Sequence, residues 1–222
     1  MGTSFHTESF IKNKILMISV VLFLTACGGS SSDNPTEVVD SSLSEEEIAG
    51  LLFMREEEEL ARDLYLDIYA AKDSRLDVFK SISDNSETQH AEAIRVLLVK
   101  YGIEDPSTGE HDTYTDEHLQ DLYDLLLNIA LGSDDLAALR VGALVEETDI
   151  SDINTYKALV SEEHQDIILT YENLLCGSRN HLRSFAKNIE NITEQDYVTQ
   201  VPELDAEVQA ILNTELETCT EI

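Results

Sequence analysis

Ser86-Glu87-Thr88-Gln89-His90 is the stretch on which the fold turns. It reads Glu-x-x-His within a run that is otherwise helical, and residues three apart on a helix share a face. Glu87 and His90 therefore point the same way. Ile82, Ser83, Ile94, Leu97 and Tyr101 mark that face as inward. A carboxylate and an imidazole turned into a core are costly unless paired or bound to a cation. A polar pair at a helix edge, satisfied by water, would give the same five letters, so the remaining helices must decide.

Each long helix has an inward seam that can be counted. A first helix, capped by Ser44 with Glu45, Glu46 and Glu47 in its first turn, is expected to run to about Ala71. Its seam is Leu51, Met54, Glu58, Ala61, Tyr65 and Ile68, in steps of three and four. Glu58 falls on the seam; Glu56, Glu57 and Glu59 fall beside it and read as a solvated acidic run. The second helix, about 75–101, has Phe79, Ser83, Glu87, His90, Ile94, Leu97 and Tyr101 inward and stops at Gly102. A polar loop and a short helix, about 116–131, follow, with His111 and His118 read as surface residues. A third long helix, capped by Ser133, places Leu136, Leu139, Ala143, Glu146, Ile150 and Ile153 inward; Asp149 shares nearly that face and Glu147 competes with Glu146. Gly142 and Ala143 admit a close neighbour. A fourth, about 163–189, lines up Ile167, Tyr171, Leu174, Ser178, His181, Phe185 and Ile189. Thr193 is expected to cap a last helix over about 202–214.

The fold class that follows is all-α: a four-helix bundle with a short crossover helix and a C-terminal extension helix. Glu58, Glu87, His90, Glu146, Asp149 and His181 are the candidate metal ligands. Bundles of the ferritin-like class build dinuclear carboxylate sites from single Glu positions and Glu-x-x-His pairs. Oxygen-rich ligands with a few imidazoles suit iron or manganese. Tyr65, Ser178 and Arg179 are candidates to support the ligands from behind.

The set of motifs resembles a known family. Phe53-Met54-Arg55-Glu56-Glu57-Glu58-Glu59-Leu60-Ala61-Arg62-Asp63-Leu64-Tyr65, Ser86-Glu87-x-x-His90, Gly142-Ala143-x-x-Glu146-Glu147-x-Asp149-Ile150 and Gly177-Ser178-Arg179-Asn180-His181-Leu182-Arg183-x-Phe185 together look like the bacterial ferritin-like family catalogued as domain of unknown function 2202. The likeness covers roughly residues 45–190. It implies a ferritin-like bundle and no particular reaction. One departure from the wider ferritin-like pattern stands out: the last helix offers Ser178 and His181 where a Glu-x-x-His pair is usual. Asp149 is the residue that compensates, or the site holds fewer metals.

The first residues read as an address. In residues 12–27, KNKILMISVVLFLTAC, Lys12 and Lys14 precede an apolar run too short to span a bilayer. Leu24-Thr25-Ala26-Cys27 resembles the bacterial lipobox, which implies cleavage before Cys27 and lipidation of its thiol. The expected organisation is a signal peptide over 1–26, a flexible tether over 27–43, the bundle over 44–190 and an extension over 191–222. Lipid would anchor the domain to the bacterial envelope, on the outer membrane facing the periplasm. In that oxidising compartment Cys176 and Cys219 either pair or remain two thiols. A formal charge of −31 over 222 residues argues against a nucleic-acid partner and draws cations to the surface. The partners expected are the membrane, a second copy in a homodimer, and a redox partner that the sequence leaves unnamed. Two functions follow: an oxidoreductase acting on O2 or peroxide, or a non-catalytic lipoprotein that captures metal or binds a partner.

Overall fold

A computed structural model describes residues 43–72, 76–132 and 134–219. Cys27, the signal peptide, nearly all of the tether and the cap assigned to Ser133 lie outside the described residues. The described chain is all-α, a ferritin-like bundle of α1 (Glu45–Ala71), α2 (Asp77–Ile82, a π-helical turn Ser83–Glu87, then Thr88–Tyr101), α3 (Glu117–Leu131), α4 (Asp135–Lys157), α5 (Gln165–Thr193) and α6 (Asp205–Leu212). Helix α1 packs on α2, α3 and α4; α4 lies along α5; and α2 closes the bundle against α5. Helix α3 is the crossover piece, lying on α1 and α4 as it carries the chain across. Among the described residues no helix is long and apolar enough to cross a membrane.

The helix ends follow local chemistry. Ser44 and Glu47 form a reciprocal capping box, with the Glu47 N–H donating to Ser44 Oγ (3.1 Å) and the Ser44 N–H to Glu47 Oε2 (2.7 Å). Asp116 caps α3 and Asp134 caps α4. Gly102 ends α2 with φ +68°, a left-handed conformation open to glycine at no steric cost. The last helix departs from expectation at its start. Thr193 is the final residue of α5, and a 3-10 turn at Pro202–Leu204 leads into α6 instead. Proline fixes φ and is tolerated where a helix begins.

The counted seams are buried with two qualifications. Leu136 and Tyr101 are only half-buried, and the Tyr101 hydroxyl donates to Asp166 at the end of the bundle. The larger correction concerns the acidic run of α1. Glu56, Glu57 and Glu59 are all buried, not solvated. Glu56 accepts from the backbone N–H groups of Thr115 and Asp116, and Glu59 pairs with Arg55 at 2.9 Å. The start of α3 and the loop before it cover a face that helical periodicity alone reads as outward. His111 is exposed, as expected, but sits between Asp63 and Asp67, 3.3 and 3.0 Å from their oxygens.

The π turn is a second departure. Thr88 N–H reaches back to Ser83 O, one residue further than in a regular helix. The seam runs Phe79, Ser83, Glu87, His90. Two consecutive steps of four would drift off a face that turns every 3.6 residues, and the wider turn absorbs that drift. The spacing predicts one regular helix over about 75–101, and the structure departs from it at Ser83–Glu87.

A candidate dinuclear metal centre

Four helices deliver the six candidate ligands to the interior: Glu58 from α1, Glu87 and His90 from α2, Glu146 and Asp149 from α4, His181 from α5. All six are at most 8% exposed. Two groups emerge, Glu58–Glu87–His90 and Glu87–Glu146–His181, each with ligand atoms within 4.8 Å of one another. Glu87 belongs to both. Its Oε2 lies 3.1 Å from His90 Nδ1, which is also 3.2 Å from Glu58 Oε2. Its Oε1 lies 2.9 Å from His181 Nδ1, which is 3.3 Å from Glu146 Oε2. The two imidazoles stack loosely, 5.7 Å between centroids, on either side of the shared carboxylate.

Hydrogen bonds do not account for this geometry. Glu58 Oε1, Glu87 Oε1, Asp149 Oδ1 and His181 Nδ1 are buried and have no hydrogen-bond partner. His181 Nδ1 and Glu87 Oε1 sit at ion-pair distance, yet no N–H is directed along the line between them. Buried polar atoms left unpaired cost free energy. Those of Glu58, Glu87 and His181 belong to the two converging groups, whereas Asp149, counted from the seam as a ligand, falls in neither group. Three carboxylates and two imidazoles in two groups sharing Glu87 are consistent with a pair of cations.

The electrostatics agree. Burial, then the charges of Asp149 and Glu87, push the Glu58 carboxyl well above its usual range. Burial and Glu146 do the same to Asp149. Burial also raises Glu146, with His181 opposing. Glu87 differs: burial pushes it up, but His181 and His90 together hold it below the ordinary carboxylate range. His181 rises to about 10, because Glu146 and Glu87 outweigh the opposing burial. Without a cation the centre holds extra protons, which a metal would displace.

Ordered neighbours aim the ligands. The Tyr65 hydroxyl donates to Glu146 Oε1 (2.6 Å), so one oxygen of that carboxylate is held and the other faces His181. The Tyr65 ring is fixed edge-on between Phe79 and Phe185. Ser178 Oγ donates to Leu174 O (2.9 Å). Ser86 Oγ lies 3.3 Å from His90 Nε2, which leaves Nδ1 toward the centre. Gly177 is required for that ring: a Cβ there would come within 2.5 Å of His90 Nε2. Gly142 gives the same kind of clearance to Phe185, at 2.4 Å. Ser86 and Gly177 escape a reading by seams. The one signal for Ser86 is its place one turn before His90.

Two sequence candidates sit elsewhere. Arg179 does not support the centre; its guanidinium grips Glu217 in the C-terminal tail (2.8 Å), and Arg183 joins it (2.9 Å). Together, and chiefly through Arg179, they hold Glu217 down to about 2. Glu147 is buried on the far side of α4, accepting from Tyr197 Oη (2.6 Å), Gln200 N (3.0 Å) and Val201 N (2.7 Å). It serves the extension, and Glu146 alone faces the centre. Cys176 and Cys219 are joined in a disulfide that ties the tail to α5.

Comparison with known proteins agrees with this architecture. A protein of Methanocaldococcus jannaschii, "Uncharacterized protein MJ0754", is 40% identical over 150 residues, covering 67% of this chain and 78% of its own length. The crystal structure of hypothetical protein MJ0754 from Methanococcus jannaschii superposes with a TM-score of 0.72 at 36% identity, over 85% of this chain and all of that one. The relative is archaeal, so the family is wider than the bacterial one the motifs suggested. The family model described as "Uncharacterized protein domain (DUF2202)" matches residues 47–215, well over half the chain, and the chain belongs to that family.

Proposed function

We propose that this chain is a lipid-anchored, ferritin-like metalloprotein of the bacterial envelope whose centre takes two iron or manganese ions and reduces O2 or peroxide. The observation that carries the reading is Glu87, whose two oxygens face two separate carboxylate–histidine groups at 2.9 and 3.1 Å. Glu58, Glu87 and His90 would hold one ion; Glu87, Glu146 and His181 the other, with Asp149 as reserve where the usual second Glu of the last helix is Ser178. A pair of redox-active metals there supplies two-electron chemistry toward O2 or peroxide. The chain's own part is to keep water out with the Phe79–Tyr65–Phe185 cluster, to fix Glu146 through the Tyr65 hydroxyl, and to present Nδ1 of both imidazoles.

Anaerobic loading with Fe2+ followed by metal analysis tests the reading. Two ions per chain are expected, and Glu87→Ala, which removes the shared ligand, should lose both. Wild-type protein that retains no metal after desalting would end it. The −31 charge favours one other reading, metal capture without turnover. Fe2+-loaded protein that consumes neither O2 nor peroxide would favour capture.

A further inference from the structure

A buried hydroxyl beside the centre has no partner. Ser83 is fully buried, and its Oγ makes no hydrogen bond among the described residues. Other helical hydroxyls of this chain avoid that state. Thr148, Thr155, Ser178, Ser184 and Thr193 each donate to the carbonyl four residues earlier, all at 2.9 Å. For Ser83 that carbonyl belongs to Phe79, and it accepts the Ser83 N–H but not the hydroxyl. The Ser83 carbonyl in turn is used twice, by the Thr88 N–H and by the Thr88 hydroxyl at 3.0 Å. The backbone of Ser83 is satisfied and its side chain is not.

The place of that hydroxyl is set by its neighbours along α2. One turn before it, the Phe79 ring packs against Tyr65 and Phe185, 5.4 and 5.0 Å between centroids. One turn after it, Glu87 holds its carboxylate between His90 and His181. Helix α1 runs past in the opposite direction, with Glu58 against His90 and Tyr65 against Phe79. Ala61, buried between those two on α1, stands at the level of Ser83. Ser83 therefore lies where the aromatic cluster gives way to the shared carboxylate.

We propose that Ser83 is a substrate-binding residue whose hydroxyl donates to a peroxide-class ligand, H2O2 or its anion, at the centre. A buried donor left unpaired costs free energy, and a good acceptor offsets that cost. Peroxide oxygens accept well, anionic ones best; O2 is a poor acceptor. The donor thus selects peroxide over O2. A serine kept for packing alone would bond its own helix, as the others do. A residue kept for volume alone would be alanine, the better helix former.

This inference rests on the proposed metal centre, and its test separates the two. Full-length wild type and Ser83→Ala are loaded anaerobically with Fe2+. One portion is oxidised with ferricyanide and titrated with azide, a small anion that stands in for the peroxide anion, followed by the optical band azide gives with ferric iron. The other portion is titrated with nitric oxide, a neutral stand-in for O2. Iron content per chain should be equal in the two proteins. Azide should bind Ser83→Ala about tenfold more weakly, the worth of one hydrogen bond to a charged acceptor, while nitric oxide binds both alike. The Tm of apo Ser83→Ala should match or exceed that of wild type, because the change removes an unpaired polar atom. Equal azide affinity, or iron-loaded wild type that binds no azide, overturns the role of Ser83 and spares the centre. An equal loss for azide and nitric oxide overturns the selection of peroxide. A lower Tm in apo Ser83→Ala assigns the hydroxyl a structural partner and overturns the proposal. Wild type that retains no iron overturns both the role and the centre.

Discussion

Glu146 and Glu147 are adjacent on α4, equally buried and chemically identical, and their surroundings are opposite. Glu147 accepts three donors from residues 197–201 and belongs to a clasp with Glu217, Arg179, Arg183 and the Cys176–Cys219 bond. Glu146 and its companions Glu58, Glu87 and Asp149 have fewer donors than lone pairs. The difference teaches that burial of an acid does not mark a site; burial without donors does. The clasp is finished by the chain itself, whereas the centre leaves buried oxygens that the chain does not satisfy.

That contrast can be broken at several points. Opening the disulfide should have the largest effect on stability. It links residues 43 apart, and the entropy of that closed loop is worth about 4 kcal/mol. Cys176→Ser should lower the urea midpoint accordingly while metal content stays unchanged. Glu147→Ala leaves three donors of the clasp unmatched and should cost about 3 kcal/mol, again without loss of metal. A comparable loss of metal in either variant would merge the two regions into one.

The centre should respond to pH in a way the clasp does not. Glu58 and Asp149 have folded values raised above the ordinary 4.5 and 3.8. Ionising them penalises the apo fold, so stability falls as pH climbs past those values. His181, raised from 6.5 to about 10, gives stability that is whole below 6.5 and fades as pH rises through 10. Glu87 works the other way, but its depressed value puts its effect below pH 4.5. Between pH 5 and 10 every active contribution has one sign. Apo protein should lose on the order of 4 kcal/mol across that window, read as a falling Tm. The Tm increment on adding Mn2+ should grow over the same window, since ions and protons compete for the same atoms. A flat apo profile would mean that the centre's acids are already neutralised by donors. Tyr65→Phe should have the smallest effect, about 1 kcal/mol, with a measurable fall in metal affinity because Glu146 loses its tether.

Much of the interior was legible from spacing. Counting threes and fours put Glu58, Glu87, His90, Glu146 and His181 among apolar neighbours, and each is buried. What spacing cannot see is a second covered face. Glu56, Glu57 and Glu59 look outward on α1 taken alone, and Glu56 is covered by Thr115 and Asp116 of the crossover, 59 and 60 residues later. The direction of Arg179 was hidden for the same reason, because its partner Glu217 lies 38 residues downstream. The competition between Glu146 and Glu147 could not be settled locally, since the donors that claim Glu147 come from 197–201.

The wide turn at Ser83–Glu87 has a consequence for how the second helix can change. Because it inserts a residue into the winding, the stub that carries Phe79 and the stretch that carries His90 are phased independently of each other. Substitutions at exposed Asp84 and Asn85 fall between the two, while Glu87 at the end of the turn keeps register with the imidazole. The helix behaves as two rods on one thread, and only the second must keep its bearing.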